Sequence, residues 1–433
     1  EPWWFSARQV KSAMPAQWDL IGFEDRFYRW GMDKIYGNFT KYNQDSDWYY
    51  FWGLKHQTQL MRMNPELSGF VAWLFDGAPH AVGSIDYFKD IKVYGDELAK
   101  IWTQDLIILD EQRHNYWEGE RLYADVHFSH FSAEPVSEAK VEWWVEGTDI
   151  RGEIPNITMN SGEVKLLGRI TFTVPQVSTA AVKKIYVRLI GKSGKILSEN
   201  YEPIQVYPLT YRSANGNKIW VQGQDNSRFE VLGYEMVKGQ VGVPLIVGPQ
   251  HFDQTAKDYL KNGGTVIVLI NESPDYWERQ TLPRILNVEK DLERNKLFLG
   301  RKFQGGHSDS FYARKGLGIF DRIPYENPYV WPFAAVWPRR VIGGTTDSMK
   351  DDVLAGAHGN LFRSIPRDSM ANTSWGEVSG TLMQFKAGSG RLLLCTFNII
   401  LPMLEDPAAA VLLADLVKYA QSDFKPTTEF LLE

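Results

Sequence analysis

The stretch SGFVAWLFDG, residues 68–77, decides the fold of the first hundred residues. It is an apolar run between turn-forming residues, which is typical of a strand buried on both faces of a parallel sheet. Before it, residues 49–63 predict a helix that ends at Asn64-Pro65, because proline discourages a helical residue ahead of it. After it, residues 91–103 predict a second amphipathic helix. Together they predict one βα step, whereas a closed barrel needs eight steps over about 250 residues.

Residues 106–208 change to short runs in which apolar and polar side chains alternate. The clearest runs are residues 141–145, 168–174 and 184–190, and residues 192–195 form a Gly- and Ser-containing turn after the last of them. Short strands at this spacing, separated by Gly, Pro, Asn and Ser, predict an antiparallel β-sandwich of about 100 residues.

From about residue 215 the pattern becomes that of an α/β domain. Apolar runs predict strands and amphipathic runs predict helices, and Gly263 follows one helix as a C-terminal cap. The predicted strands are 219–221, 244–248, 265–270 and 390–397, and the predicted helices are 252–262 and 407–421. Residues 275–345 are rich in Gly, Pro and Trp and are interpreted as an insertion.

Charge and composition exclude several classes of protein. A formal net charge of −6 gives no basic surface for nucleic acid or acidic lipid. No apolar run approaches the roughly 20 residues that span a bilayer, so a soluble protein without a membrane partner is expected. Cys395 is the single cysteine, which excludes an internal disulfide. Periplasmic, secreted and cytoplasmic locations stay open.

Aromatic residues make up 14% of the chain and are concentrated in its first 150 residues. One explanation is a large core built with aromatic side chains. The other is a carbohydrate site, in which flat rings stack against the C–H faces of sugars. Composition alone does not choose between them.

A resemblance to a known family comes from residues 69–98. The runs 69–77, 83–88 and 92–95 resemble the last barrel strand of family-two glycoside hydrolases and the loop that leads into the final helix. Residues 5–15, FSARQVKSAMP, are similar to the family segment that follows the nucleophile strand. The resemblance covers roughly residues 1–208, where a sandwich follows the barrel as in many members, and extends beyond with lower specificity.

The resemblance implies the C-terminal portion of a retaining β-glycosidase that hydrolyses a terminal β-linked galactoside, mannoside or glucuronide. Such enzymes use two carboxyl groups about 5–5.5 Å apart, and the resemblance puts the nucleophilic Glu about three residues before Glu1. Glu1 itself is followed by Pro rather than the Phe-Gly or Tyr-Gly of the family, which argues against it as the nucleophile. No catalytic residue is therefore expected in this chain. It is expected to be inactive alone and to have the N-terminal portion of the enzyme as its partner, in the same precursor or as a separate chain.

The resemblance also suggests residues that bind the sugar. Trp73 would form the floor beneath the reacting sugar, and Asp76, at the carboxyl end of the strand, would accept hydrogen bonds from hydroxyl groups. The alternatives are barrel packing for Trp73 and a turn carboxylate for Asp76. His80 and Asp86 are weaker candidates in the loop that follows, where a surface histidine and a loop anchor are the alternatives.

Residues 209–433 resemble the flavodoxin-like, glutamine-amidotransferase-like module near the C-terminus of some β-glycosidases. An amidotransferase needs a nucleophilic Cys on a strained turn, but Cys395 lies inside an apolar run without flanking glycines and predicts an inert buried thiol. His251 follows a strand without an identified partner. The module is therefore interpreted as structural, for packing or homo-oligomerisation, and no cofactor or metal is expected.

The sequence thus predicts a multidomain chain: the end of a (β/α)8 barrel in 1–105, an Ig-like sandwich in 106–208 and an α/β domain in 209–433. The alternative to a β-glycosidase portion is a non-catalytic carbohydrate-binding or scaffold protein. An incomplete barrel favours the β-glycosidase portion over the non-catalytic protein, because a self-sufficient module should not expose the apolar surface and open edges of an unfinished sheet.

Overall fold

The computed structural model describes residues 23–67, 69–71, 84–85, 90–240, 242–270, 286–301, 310–325, 333–338, 340–358 and 378–432. Contacts divide the described residues into two compact units. One holds residues 44–209 together with 324–325, and the other holds residues 23–43 and the rest of the chain from 210. Within the described residues, no helix is long and apolar enough to cross a membrane.

The first hundred residues contain four described helices. These are α1 (Phe23–Arg29), α2 (Asp33–Tyr36), α3 (Phe39–Met63) and α4 (Gly95–Ile101). Both predicted helices are present: the one over 49–63 is the second half of α3, and the one over 91–103 is shorter, as α4. Of the strand predicted at 68–77, only residues 69–71 are described, and they are exposed and outside any strand. The separate barrel segment in 1–105 stays a prediction.

The strand β1 (Asp105–Asp110) has both faces buried because its side chains alternate between two cores. Leu106 and Ile108 pack with Phe51 of α3 and Leu98 of α4. Ile107 and Leu109, which lie on the opposite face of β1, belong instead to the core of the sandwich. The run of four apolar residues in β1 is thus explained by helices on one side and a sheet on the other.

The sandwich consists of two sheets that share this second core. One has the order β1, β3 and β6, and all its pairs are antiparallel. The other has the order β2, β8, β7, β4 and β5, which is antiparallel except for the β2–β8 pair. The remaining strands are β2 (Asn115–Trp117), β3 (Arg121–His130), β4 (Val136–Val145), β5 (Arg151–Met159), β6 (Glu163–Thr173), β7 (Ala181–Ile190) and β8 (Ile196–Tyr207). The alternating runs quoted above are strands, and the chain has a β-sandwich-like, sheet-rich architecture in this region.

The second unit contains a mixed sheet. Its parallel part has the order β10, β9, β11, β12 and β18, and antiparallel strands extend it through β17, β15 and β13, with β16 pairing β17 and β14. The strands are β9 (Lys218–Gln222), β10 (Glu235–Met236), β11 (Leu245–Val247), β12 (Thr265–Leu269), β13 (Phe298–Arg301), β14 (Ser310–Ala313), β15 (Arg340–Gly343), β16 (Val353–His358), β17 (Ser379–Ala387) and β18 (Gly390–Cys395). The helices are α5 (Asn226–Val231), α6 (Gln254–Lys261), α7 (Leu286–Arg294) and α8 (Pro407–Gln421).

In the sheet, β9, which is the first described parallel strand along the chain, lies between β10 and β11. In chain order the parallel strands run 2-1-3-4-5, which is the order of flavodoxin-like sheets. The strands and helices predicted between 219 and 270 and after 390 are confirmed, each within a few residues. The chain is therefore multidomain, with antiparallel and mixed sheets, while the finer likeness to an Ig or an amidotransferase module remains a proposal.

Candidate functional site

The four residues that the sequence suggests for sugar binding, Trp73, Asp76, His80 and Asp86, lie outside the described residues. Their roles therefore stay predictions. The candidate site described below comes instead from the surface of the sandwich.

An open groove of about 530 Å³ lies on the sandwich beside strands β1, β3 and β6. Its lining combines two tyrosines with charged and amide side chains, most of them planar. The lining residues are Asp110, Gln112, Arg113, Tyr116, Arg121, Tyr123, Asp125 and Arg169.

The register of three strands brings the groove residues together. Along β3, Leu122 and Ala124 point into the sandwich core, so Arg121, Tyr123 and Asp125 face outward. Asp125 lies opposite Asp110 of β1 on one side and Arg169 of β6 on the other. The three strands thus present one row of charged side chains across the sheet.

Most of the charges in the groove are paired. Arg169 donates two hydrogen bonds to the two carboxylate oxygens of Asp125, at 2.6 and 2.8 Å, and this interaction holds the pKa of Asp125 below its ordinary value. Arg113 lies 3.2 Å from a carboxylate oxygen of Glu120. Arg121 donates from Nε to Oγ1 of Thr171 at 3.1 Å, which orients its guanidinium group.

A buried carboxylate shapes the loop at the edge of the groove. Glu111 accepts hydrogen bonds from the backbone N–H groups of Arg113, at 2.8 Å, and His114, and from the hydroxyl of Tyr116. His114 adopts a left-handed backbone conformation, with φ 61°, and its Nδ1 lies 3.0 Å from a Glu111 oxygen. The tight loop places the Arg113 guanidinium 4.7 Å above the ring of Tyr116, where both line the groove.

The ionisation of Glu111 follows from these contacts. Burial alone would raise the pKa of Glu111. The hydrogen bond from His114 and its nearby charge outweigh burial, together with the hydrogen bonds from Tyr116 and the Arg113 N–H, and the pKa of Glu111 is lowered. Glu111 is therefore an ionised structural carboxylate that stabilises the loop.

Elsewhere on the sandwich, aromatic rings cover one another. Trp144 and Tyr186 stack across β4 and β7 with centroids 5.0 Å apart and planes 5° apart. The ring centroid of Tyr201 lies 5.4 Å from that of Tyr186, and the Arg188 guanidinium lies 4.5 Å from the ring centroid of Trp144. Because these ring faces are occupied, this row fits the packing explanation for the aromatic composition. Tyr123 differs, since 59% of its surface is exposed and its ring stacks on no other aromatic ring among the described residues.

Two residues singled out in the α/β region have clear environments. Cys395 is fully buried in β18, and burial raises the pKa of its thiol to about 12, as expected for an inert thiol. His251 is partly exposed and lies against Gly223, where an added Cβ would come within 2.0 Å of the imidazole. No group of three or more His, Cys, Asp or Glu side chains in the described part of the chain is arranged to hold a metal ion.

The groove is only partly visible in the sequence. The alternation of Arg121, Tyr123 and Asp125 with apolar residues marks one outward face of a strand, and that signal is visible in the sequence. Asp110 and Arg169 join this face only through the strand register, which spacing along the chain does not reveal.

Residues 120–208 match the family model of a domain of unknown function, DUF8488. No curated protein matches the chain. Among solved structures, the sporulation control protein Spo0M of Bacillus subtilis is 16% identical, with a TM-score of 0.19, over 24% of this chain and 50% of its own. A CARDB domain from Pyrococcus furiosus is 14% identical, with a TM-score of 0.18, over 24% of this chain and 90% of its own. An exo-chitosanase of Amycolatopsis orientalis is 18% identical, with a TM-score of 0.28, over 40% of this chain and 20% of its own.

The chain thus spans half the length of the sporulation protein and a fifth of the exo-chitosanase. Similarity at this level carries no argument about function, which has to come from the residues themselves.

Proposed function

We propose that this chain binds carbohydrate as the C-terminal portion of a retaining β-glycosidase, whose two catalytic Glu residues lie on an N-terminal portion. The groove on the sandwich is the observation that carries the binding part of this proposal. Galactosides, mannosides and glucuronides are the substrate classes that the family resemblance implies. An Ig-like sandwich and an amidotransferase-like module are part of the same proposal.

The side chains of the groove suit a sugar. Tyr123 offers an exposed ring face for the C–H face of a pyranose, while carboxylate, amide and guanidinium groups around it offer acceptors and donors for hydroxyl groups. Arg113 and Arg169 each have a carboxylate partner, so the groove has little net charge for an ionic ligand. An uncharged, hydroxyl-rich ligand satisfies such a surface best.

The groove itself is proposed to bind sugar and not to cleave it. A retaining glycosidase needs a carboxylic acid whose pKa is raised enough to donate a proton. In the groove, Arg169 lowers the pKa of Asp125 and keeps its carboxylate ionised. The hydrolytic step therefore belongs to the proposed N-terminal portion.

Exposed apolar side chains support a partner for the N-terminal region. Val71 is 94% exposed and Ile91 is 73% exposed, and both belong to the segment that resembles the end of a barrel. Apolar side chains exposed to this extent are a feature of surfaces that another chain or segment covers. In the proposed enzyme the earlier barrel strands and helices would cover them.

A non-catalytic carbohydrate-binding protein is the second candidate, because the groove would serve it equally well. Activity separates the two. The chain should hydrolyse nitrophenyl β-glycosides when it is joined to or co-expressed with the N-terminal portion, and it should not do so alone. Binding of sugar in the groove without hydrolysis in either form would favour the second candidate.

The groove is tested by titrating the full chain with methyl β-D-galactoside and methyl β-D-mannoside and measuring binding by NMR. Replacing Tyr123 by Ala should weaken binding at least fivefold, roughly the effect of losing a stacked aromatic ring. Leu166→Ala is the matched control, since Leu166 is 51% exposed on β6 of the same sheet and is not part of the groove. Equal binding by Tyr123→Ala and wild type would exclude the groove as the sugar site.

A further inference from the structure

The α/β unit contains a second arrangement of polar side chains, at the carboxyl ends of β9 and β11. In a parallel sheet of order 2-1-3-4-5, the direction in which successive strands are added to the sheet reverses between the first and third strands, and ligands bind in the crevice outside the carboxyl ends of the strands there. In this chain that point lies between Gln222, which ends β9, and Val247, which ends β11.

Two side chains meet above Gly248 at this point. A Cβ added to Gly248 would lie 2.9 Å from Nε2 of Gln224 and 3.9 Å from Nδ1 of His251. The two groups therefore both lie close to a backbone position that has no side chain. Gly223, with φ 73°, leaves room for the imidazole in the same way.

Both groups are available to a ligand. Gln224 and His251 are partly exposed, and within the described residues neither side chain forms a hydrogen bond or an ion pair with the protein. The neighbouring Gln222 is already paired, since its Nε2 donates to Asp253 at 2.9 Å. A carboxamide and an imidazole together offer both donors and acceptors, which is what hydroxyl groups require.

The helices that begin here disfavour a phosphate ligand. Phosphates usually bind at such crevices through the free N–H groups of a helix N-terminus. Here Asp225 caps α5 by accepting from the N–H of Ser227, and Asp253 caps α6 by accepting from Thr255 and Ala256. An anion would meet two carboxylates in place of free N–H groups.

We infer that the crevice between β9 and β11 binds an uncharged, hydroxyl-bearing small molecule, with Gln224 and His251 as its hydrogen-bonding residues. The site is distinct from the sandwich groove and lies in the other unit. The choice of a monosaccharide as the probe rests on the proposed function.

Histidine NMR signals test this inference in the full chain. The eight histidines are labelled with ¹³C, and the signals of His251 and His127 are assigned with the variants His251→Gln and His127→Gln. His127 lies on β3 close enough to Asp125 to affect its ionisation and reports on the groove, so the two sites are observed separately in one titration. Methyl β-D-galactoside and methyl β-D-mannoside are the probes, and inorganic phosphate and AMP are the competing class.

The inference expects the His251 signal to shift and saturate with a sugar probe and not with phosphate or AMP. Gln224→Ala should weaken this binding about fivefold, the usual effect of losing one hydrogen bond. Gly248→Ala should do so as well, because its φ of −75° accepts alanine while the new Cβ displaces the Gln224 amide. Gln250→Ala, an exposed residue of the same turn, is the control and should bind as wild type does.

Three results would overturn the inference: a His251 signal that no sugar shifts, a response to phosphate or AMP in place of sugar, or unchanged binding in Gln224→Ala and Gly248→Ala. A His127 signal that shifts while the His251 signal does not would leave the groove intact and reject the crevice alone. A His251 signal that shifts while the His127 signal does not would reject the groove as a sugar site and retain the crevice.

Discussion

Asp352 anchors the C-terminal segment of the chain, and its replacement by Asn should release that segment. The side chain is fully buried, and its Oδ2 accepts from the hydroxyls of Thr427 and Thr428, both at 2.7 Å, and from the Thr428 N–H at 2.7 Å. Its Oδ1 accepts from Nε2 of Gln384 at 2.9 Å, and the Thr427 N–H donates to both oxygens at 3.1 Å, so that it keeps a partner when only Oδ2 accepts. Every neighbour of the carboxylate in this network is therefore a donor.

Asparagine has one acceptor oxygen, so its amide nitrogen must face one of these donors. With its oxygen toward the two threonines, its NH₂ group faces Nε2 of Gln384. The variant loses one hydrogen bond to a charged acceptor, about 1.5–3 kcal/mol, and the remaining bonds become weaker because the acceptor is neutral. We expect a loss of about 3 kcal/mol in the local stability of residues 424–432.

Hydrogen exchange of residues 424–432 measures this directly, since it reports local opening without assuming that the whole chain unfolds in one step. A loss of about 3 kcal/mol corresponds to roughly 100-fold faster exchange. Asp351→Asn is the control, because the Asp351 carboxyl is 55% exposed beside Lys34 and should contribute less than about 1 kcal/mol. Exchange in Asp352→Asn within twofold of that in Asp351→Asn would show that the Asp352 carboxylate does not hold the C-terminal segment in place.

The pH dependence gives an independent check on the same anchor. Burial would raise the pKa of Asp352, but the hydrogen bonds from Thr427, Thr428 and Gln384 outweigh it and lower the pKa. Since the folded pKa is below the ordinary value of 3.8, this stabilisation is present above that pH and is lost as the pH falls below it. After the observed rates are divided by the intrinsic exchange rates, the opening constant of residues 424–432 in the wild type should rise below about pH 4, and in Asp352→Asn this rise should be absent.

Two further predictions concern buried ionisable groups, and a third concerns a glycine. Glu202→Gln leaves the buried ammonium of Lys55 without its partner and should cost about 3–5 kcal/mol in urea unfolding, whereas the double variant Lys55→Met with Glu202→Leu should recover most of it. Burial raises the pKa of Asp415 to about 6, so the wild type should lose thermal stability as the pH rises from about 4 to 6, and Asp415→Asn should not. Gly223→Ala should lower the melting temperature, since φ is 73° and the new Cβ would collide with His251; an unchanged melting temperature would contradict that geometry.

Much of the secondary structure could be predicted because each element follows from its own residues. Period-two alternation predicted β4, β6 and β7 of the sandwich, and the helix before Asn64-Pro65 ends at Met63 as expected. The apolar run at 265–270 is a parallel strand of the mixed sheet. In these segments a local pattern and the tertiary structure require the same conformation.

The candidate site could be predicted only in part. The outward face of β3 follows from alternation, but Asp110 and Arg169 join Tyr123 only through strand pairing. In the same way, nothing near His251 in the sequence points to Gly223 or Gln224, which come from a different strand end. Pairing across a sheet depends on the competition among all strands, and a local pattern does not contain it.

The proposal that this chain is one portion of a β-glycosidase is best tested on the native protein. Its intact mass and a denaturing gel are measured on one preparation, and hydrolysis of nitrophenyl β-glycosides is measured on the same sample. We expect a longer chain, or a second polypeptide that co-purifies, together with hydrolysis of a β-glycoside. A single cooperatively folded species of 49.7 kDa that neither hydrolyses these substrates nor binds sugar in the groove would contradict the proposal.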